Sequence, residues 1–254
     1  MMRVDINSDL GESFGAYSIG HDLGLMPSIT SANVAAGFHA GDPSVLRETI
    51  RLARTHGVAV GAHPGFPDLV GFGRRELNVT PKEAEDIVLY QIAAVAGVAA
   101  AEGVRIQHVK PHGALFNMAV RDPGLSGAIA RAVAAFDRTL ILFGLPGSEI
   151  LRAGLNAGLR VAAEVFADRA YERDGSLVSR RKPGAVLHDA DAVVDRAVRM
   201  VTTRSVVAID GSVVPLETDT ICVHGDTPGS DDLARKIRAG LERAGVLVKA
   251  IGLA

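Results

Sequence analysis

Ionisable side chains recur in this sequence at the ends of short apolar runs, and their types are those of acid–base and electrostatic chemistry. Asp5, Asn7, Asp9 and Glu12 lie in and after the first run, His39 after the second and His63 after the third. Lys110 and His112 follow the fourth, Glu164 and Asp168 lie in and after the sixth, and His224 and Asp226 follow the last. An imidazole beside a carboxylate can position and deprotonate a water. Asp9, His39 and His63 could instead supply a carboxylate-and-imidazole metal site. A lysine is almost never buried unpaired, so Lys110, between the apolar Val109 and the rigid Pro111, is where an ammonium would meet an anionic or developing-negative substrate atom.

Each cluster has a plainer reading beside the chemical one. Asp9-Leu10-Gly11-Glu12 is compatible with an acidic turn, and Asp42, before Pro43, reads as a helix cap. His39 sits among small residues in Gly37-Phe38-His39-Ala40-Gly41, and His63 stands before a Pro-Gly turn. An imidazole in either place has little packing purpose. His108, an even step from Lys110, would share its side of a strand and support it. His21, His56 and His188 fall near loop or helix-end signals and are expected in solvent. Arg74 and Arg75 could grip a carboxylate or form a solvated pair. Cys222, between Ile221 and Val223, reads as a core filler.

The elements that must position these groups follow a βα rhythm. Apolar runs at 4–6, 32–36, 58–61, 106–109, 140–143, 160–166 and 220–223 read as strands. Helix signals separate them. Asp42-Pro43 opens a helix with Leu46, Thr49, Ile50 and Ala53 on one face and Gly57 beyond its end. Thr80-Pro81-Lys82-Glu83 is a capping box, and Ser230 is placed to cap the last long helix. The stretch 206–214 carries Asp210-Gly211 and predicts a β-hairpin inserted before the last strand. Polar residues at the ends of nearly all the strands favour a closed barrel, since an open sheet would gather them at one switch point. The expected architecture is an α/β fold, a parallel (β/α) barrel of about seven strands forming one domain over 1–254.

Composition narrows the partners. Hydrophobic residues at 48% against 22% charged exclude disorder, and a formal net charge of -2 with no basic run makes nucleic acid an unlikely ligand. The N-terminus turns acidic where a signal peptide needs an apolar stretch. The apolar run 92–101 is far short of the roughly 20 residues of a bilayer span and reads as a buried helix. A single cysteine suits a reducing cytosol, so a cytoplasmic protein is expected.

Six segments together resemble one family. They are Asp5-Ile6-Asn7-Ser8-Asp9-Leu10-Gly11-Glu12, Gly37-Phe38-His39-Ala40-Gly41-Asp42-Pro43, Gly61-Ala62-His63-Pro64-Gly65, Lys110-Pro111-His112-Gly113-Ala114-Leu115-Phe116-Asn117, Glu164-Val165-Phe166-Ala167-Asp168-Arg169-Ala170-Tyr171 and His224-Gly225-Asp226. In this order they resemble the lactam-utilisation family, the A subunits of bacterial ATP-dependent 5-oxoprolinase. The resemblance implies a distorted seven-stranded barrel of the glycoside hydrolase and deacetylase type. It implies ATP-dependent cleavage of 5-oxo-L-proline to L-glutamate together with B and C subunits. No Gly-x-x-x-x-Gly-Lys-Ser/Thr loop occurs, and Gly144-Leu145-Pro146-Gly147-Ser148 lacks the lysine, so nucleotide chemistry is expected to involve the partners.

For that reaction the expected catalytic set is Asp9, His63, Lys110, His112, His224 and Asp226. Asn7, Glu12, His39, Glu164 and Asp168 are expected around the substrate. Water activation would fall to Asp9 or Asp226 with His63 or His224, charge stabilisation on the amide oxygen to Lys110, and protonation of the ring nitrogen to His112. Two other readings stay open. One is a metal-dependent amidohydrolase or deacetylase without ATP, using Asp9, His39 and His63. The other is a non-catalytic subunit that holds the lactam for a partner.

Overall fold

The computed structural model of the chain describes residues 2–179, 182–223 and 229–252. Its elements alternate as the pattern requires. In order they are β1 (Arg3–Leu10), α1 (Asp22–Leu25), β2 (Ser31–Ala35), α2 (Pro43–His56), β3 (Ala59–His63), α3 (Pro81–Ala101), β4 (His108–Val109), α4 (Gly113–Ala119) and α5 (Pro123–Phe136). There follow β5 (Ile141–Gly144), α6 (Glu149–Asn156), β6 (Arg160–Phe166), α7 (Ala190–Thr202), β7 (Ser205–Val207), β8 (Val213–Pro215), β9 (Thr220–Val223), α8 (Ser230–Arg243) and β10 (Leu247–Val248).

Seven parallel strands run β1-β2-β3-β4-β5-β6-β9, and β9 pairs back onto β1 with Ile6 opposite Ile221, which closes the barrel. The expected seven-stranded barrel is therefore present. Pairing in β4 is confined to two residues. The hairpin is there too: β7 and β8 pair antiparallel, Val207 opposite Val213, and Asp210-Gly211 lies in a five-residue connection where Gly211 takes a positive φ. Two features depart from the sequence reading. Strand β10, too short to leave a periodic signal, pairs with the start of β1 at Arg3 and Val4, and Ser230 opens α8 as its first residue while Gly229 stands at the cap position.

Helix ends follow the residues that favour them. Asp42 accepts the Ser44 and Val45 amides, Gly57 ends α2 in the left-handed region, and Thr80 with Glu83 forms the reciprocal capping box. By length and composition alone α3, with 21 residues and an 18-residue stretch of mean hydropathy 1.4, could cross a membrane. In the fold it packs against α5, α2 and β3 through Val88, Ile92, Val95 and Ala99, while Ala93, Gly97 and Ala100 stay exposed. The run 92–101 is thus half of an amphipathic helix and not wholly buried.

Alternation along each strand sorts the two faces of the barrel. Val4, Ile6, Leu10, Ala32, Val34, Val60, Val109, Leu142, Val165 and Ile221 meet the helices in one large core. The inward side is largely polar, apart from Ile141, Phe143 and Ala162 on one wall. Buried polar groups tend to pair, and those at the base of the barrel do so closely. Asp5 accepts hydroxyl hydrogen bonds from Thr30 (2.5 Å), Ser31 (2.7 Å) and Thr220 (2.5 Å), Asn7 donates to Thr220 (2.7 Å), and Asn33 donates to Asn7 (2.7 Å). His108 stacks on Phe143 and reaches Asn33 at 2.8 Å, and Gly61 gives its ring room, because a β-carbon there would stand 2.2 Å from it.

Burial pushes the Asp5 carboxyl up from 3.8 to about 6, against the three hydroxyls that favour its charged form. Folding therefore favours protonated Asp5, and this contribution, complete below pH 3.8, is lost as pH rises through about 6. Its size is about 3 kcal/mol. In Asp5→Asn that loss should be missing. Urea unfolding across pH 4 to 7 checks it: the stability difference between wild type and variant should slope against wild type up to about pH 6, and a flat difference would contradict the assignment.

Candidate functional site

The carboxyl ends of the strands open into a cleft of about 780 Å³, within the roughly 300–1,000 Å³ of small-molecule sites. Asp9 from the end of β1, His63 from the last position of β3, Lys110 just after β4 and His112 ahead of α4 lie along it. Phe166 from the end of β6 joins them, and Arg74, Arg121, Arg169 and Lys182 add positive charge to its walls. Asn7, Glu12, His39 and Glu164 are buried beside this group. The structure thus gathers eight of the expected residues.

Lys110 organises one half. Its Nζ lies 2.8 Å from Asp9 Oδ1, 2.9 Å from Glu164 Oε1 and 3.0 Å from Cys222 Sγ, with Asn7 Oδ1 at 3.4 Å and the Phe166 ring beneath. An ammonium has three N–H donors, and hydrogen bonds to Asp9, Cys222 and, at greater length, Asn7 engage them, while Glu164 is held as an ion pair. Burial alone would lower the Lys110 pKa, but Asp9, Cys222 and Glu164 together hold it well above its ordinary value. Burial raises the Glu164 carboxyl despite the neighbouring ammonium. Cys222 is buried in the main core, as expected of a core filler, and its Sγ in addition meets this ammonium.

Histidines form the other half. His63 Nδ1 meets the Lys110 carbonyl at 2.7 Å, and its Nε2 lies 2.9 Å from His112 Nδ1 and 3.4 Å from Asp9 Oδ2. His112 Nε2 meets the Phe72 carbonyl at 2.9 Å. His39 stacks on His112 with ring centroids 3.7 Å apart, and its Nε2 is 3.4 Å from Glu12 Oε1. Burial pushes the His39 and His112 imidazoles well below their ordinary pKa, as it does His108, to about 3. Glu12, His39, His63 and His112 offer donor atoms all within 4.8 Å of one another, a group able to hold a metal ion. His39 fits such a role, since neither of its buried ring nitrogens has a hydrogen-bond partner. This set differs from the expected Asp9, His39 and His63 by gaining Glu12 and His112 in place of Asp9.

Backbone turns aim these rings. Phe72, at the uncommon φ of 54°, turns its carbonyl to His112, and Gly73 takes φ 62° where a β-carbon would crowd His39 and His112 at 2.7 and 2.9 Å. Arg75 is held by Asp68, leaving Arg74 at the cleft over the Phe72 ring. Gln91 from α3 brackets Gly65, accepting its N–H at 3.0 Å and donating to its C=O at 2.8 Å, which fixes the turn after His63. Gln91→Leu leaves both backbone groups buried without partners and should cost about 1–3 kcal/mol for each. Chemical denaturation measures it, and an unchanged midpoint would mean that water replaces the amide.

Other expected residues lie elsewhere. Asp168 lines a separate depression of about 220 Å³ with Leu187, His188 and Leu233. His224 and Asp226 lie outside the described residues. His21, His56 and His188 are exposed, as their positions suggested. The sequence reading missed the cleft wall to which Arg169, Glu172, Leu177 and Val178 contribute. Its signal was available: more than 20 residues between strand and helix without periodicity usually mark a working loop.

The model of the LamB/YcsF family matches residues 4–253. A protein of Tolumonas auensis, named as the A subunit of 5-oxoprolinase, is 55% identical over 251 residues, 99% of this chain and 100% of that one. Its Bacillus subtilis namesake is 53% identical over 251 residues, 99% and 98%. A lactam utilization protein from Thermus thermophilus superposes with a TM-score of 0.94 at 50% identity, covering 98% of this chain and all of that one. A polysaccharide deacetylase from Bacillus cereus, 13% identical and covering 98% and 92%, shares the fold at a TM-score of 0.50.

Proposed function

This chain belongs to the LamB/YcsF family, and from that premise we propose that it is the ring-opening A subunit of a cytoplasmic 5-oxoprolinase, hydrolysing 5-oxo-L-proline to L-glutamate with ATP. The observation that carries the reading is Asp9, held at the floor of the cleft by Lys110 with its second oxygen turned toward His63. A five-membered lactam is an unactivated amide favoured over its open form. ATP makes opening downhill by phosphorylating the amide oxygen, a step assigned to the B and C subunits because this chain has no phosphate loop.

Asp9 Oδ2 then takes a proton from water as its oxygen bonds to the activated carbon and passes it to the ring nitrogen. The C–N bond breaks as the new hydroxyl gives up its own proton to that nitrogen, and the acyl phosphate so formed is cleaved by a second water to the glutamate carboxylate and inorganic phosphate. Lys110, with its donors already engaged, positions Asp9 instead of contacting the substrate. His112 protonates nothing on this path, since its Nε2 hydrogen is committed to Phe72 and only Nδ1 faces the site. Arg74 and Arg121 on the cleft wall receive the substrate carboxylate or the phosphate. Should Glu12, His39, His63 and His112 hold a divalent metal ion, it would supply Lewis-acid polarisation beside Asp9.

Mixing the chain with B and C subunits, 5-oxoproline and ATP should give glutamate and ADP together, with no glutamate when any one of the three proteins is left out. Glutamate from this chain alone without ATP would instead support a simple amidohydrolase. Absence of product from the full mixture would remove the assigned activity.

A further inference from the structure

The four-residue group beside Asp9 has a hydrogen-bond arrangement that protein atoms alone leave unbalanced. Lys110 and Phe72 offer His63 and His112 backbone carbonyls, at 2.7 and 2.9 Å, and a carbonyl only accepts. The hydrogens therefore sit on His63 Nδ1 and His112 Nε2, and in neutral rings the other nitrogens carry lone pairs. Those nitrogens, His63 Nε2 and His112 Nδ1, face each other at 2.9 Å. Two lone pairs at that distance repel, so a positive particle belongs at this point.

A shared proton would relieve this one pair. It would leave His39 unexplained: 1% exposed, stacked on His112, with neither ring nitrogen hydrogen-bonded. Its Nε2 lies 3.4 Å from Glu12 Oε1, which is itself 3.6 Å from His112 Nδ1. One cation among these atoms accounts for His39 Nε2 together with the facing pair of nitrogens and Glu12 Oε1. Fixing a ligand imidazole through the other nitrogen's bond to a carbonyl is how metal-binding histidines are usually held.

We infer that His39 Nε2, His63 Nε2, His112 Nδ1 and Glu12 Oε1 bind one divalent d-block cation. Three imidazoles and a carboxylate suit zinc, cobalt, nickel or ferrous iron and not magnesium or calcium, which take oxygen ligands. The donor atoms lie within 4.8 Å of one another, against edges of about 3.4 Å for tetrahedral zinc, so the site contracts slightly on binding. Asp9 Oδ2, 3.4 Å from His63 Nε2, stands next to the cation and remains the group that handles the proton. The inference holds whatever reaction the cleft performs, because its test reads binding and not turnover.

The full chain, stripped with chelator and dialysed, is titrated with zinc and with cobalt by calorimetry, and the cobalt complex is read by visible absorption. One equivalent should bind, with the intense d–d bands of low coordination number. His39→Gln, His112→Gln and Glu12→Gln should each weaken binding at least about tenfold, while His188→Gln, altering an exposed imidazole, should leave it unchanged. Circular dichroism confirms that each variant folds, and failure of one leaves the other two to decide. No uptake by wild type, or unaltered uptake by the folded variants, would overturn the site. So would nitrogen NMR showing an imidazolium at His63 or His112 at neutral pH in zinc-supplemented protein.

Discussion

Asp9→Asn in the reconstituted three-subunit system should lower kcat by about 10²–10⁴ with KM nearly unchanged, the usual size of a lost general base. The substitution keeps the shape of the side chain and its contact with Asn33, which donates to Asp9 Oδ1 at 2.9 Å. It removes the negative charge and with it the carboxylate's capacity to hold a proton. Lys110 keeps a counter-ion in Glu164 at 2.9 Å, so the fold should lose little stability. A steady-state comparison at saturating 5-oxoproline and ATP, with denaturation curves for both proteins, separates chemistry from folding. Turnover within tenfold of wild type would take the proton-transfer role away from Asp9.

Lys110→Met should be the most damaging single change to the site. It removes a 3% exposed ammonium from between two carboxylates and leaves Asp9 and Glu164 facing each other without a cation. Breaking a buried pair in this way costs about 3–5 kcal/mol. The carboxylate so released is no longer held, and a displacement of about 1 Å at a reacting group can cost a hundredfold in rate. A structural role alone would not move the pH profile; this role should, shifting the acid limb of kcat upward as Asp9 loses its ammonium. Adding Glu164→Gln should restore much of the stability but not the turnover. Near-normal turnover in Lys110→Met, or recovery of turnover in the double variant, would end the positioning role.

Legibility followed the physics of each signal. Strands buried on both sides of a barrel are short apolar runs, and seven of these stood out between helices marked by Asp42-Pro43 and Thr80-Pro81-Lys82-Glu83. The inward polar positions were visible by alternation, which places Asp5, Asn7 and Asp9 on one side of β1. The two-residue β10 carries no period, and the cap of α8 turns on one backbone angle at Gly229, so neither could be read. Asp168 stood in a motif with Glu164, yet four positions past a strand residue the chain has left the barrel interior.

From residue types and spacing alone came the closed barrel, the edge at which its chemistry gathers, and most of the residues found there, because local periodicity decides which side chains face inward. Only the tertiary structure decided how those residues divide. That Lys110 gathers Asp9, Glu164 and Cys222 around its ammonium, and that Glu12 and His112 join His39 and His63, depends on distances between strands and loops up to 112 positions apart in the chain. No one-dimensional pattern encodes such distances, because they are set by how the sheet closes and how the turns at Phe72 and Gly65 aim the rings.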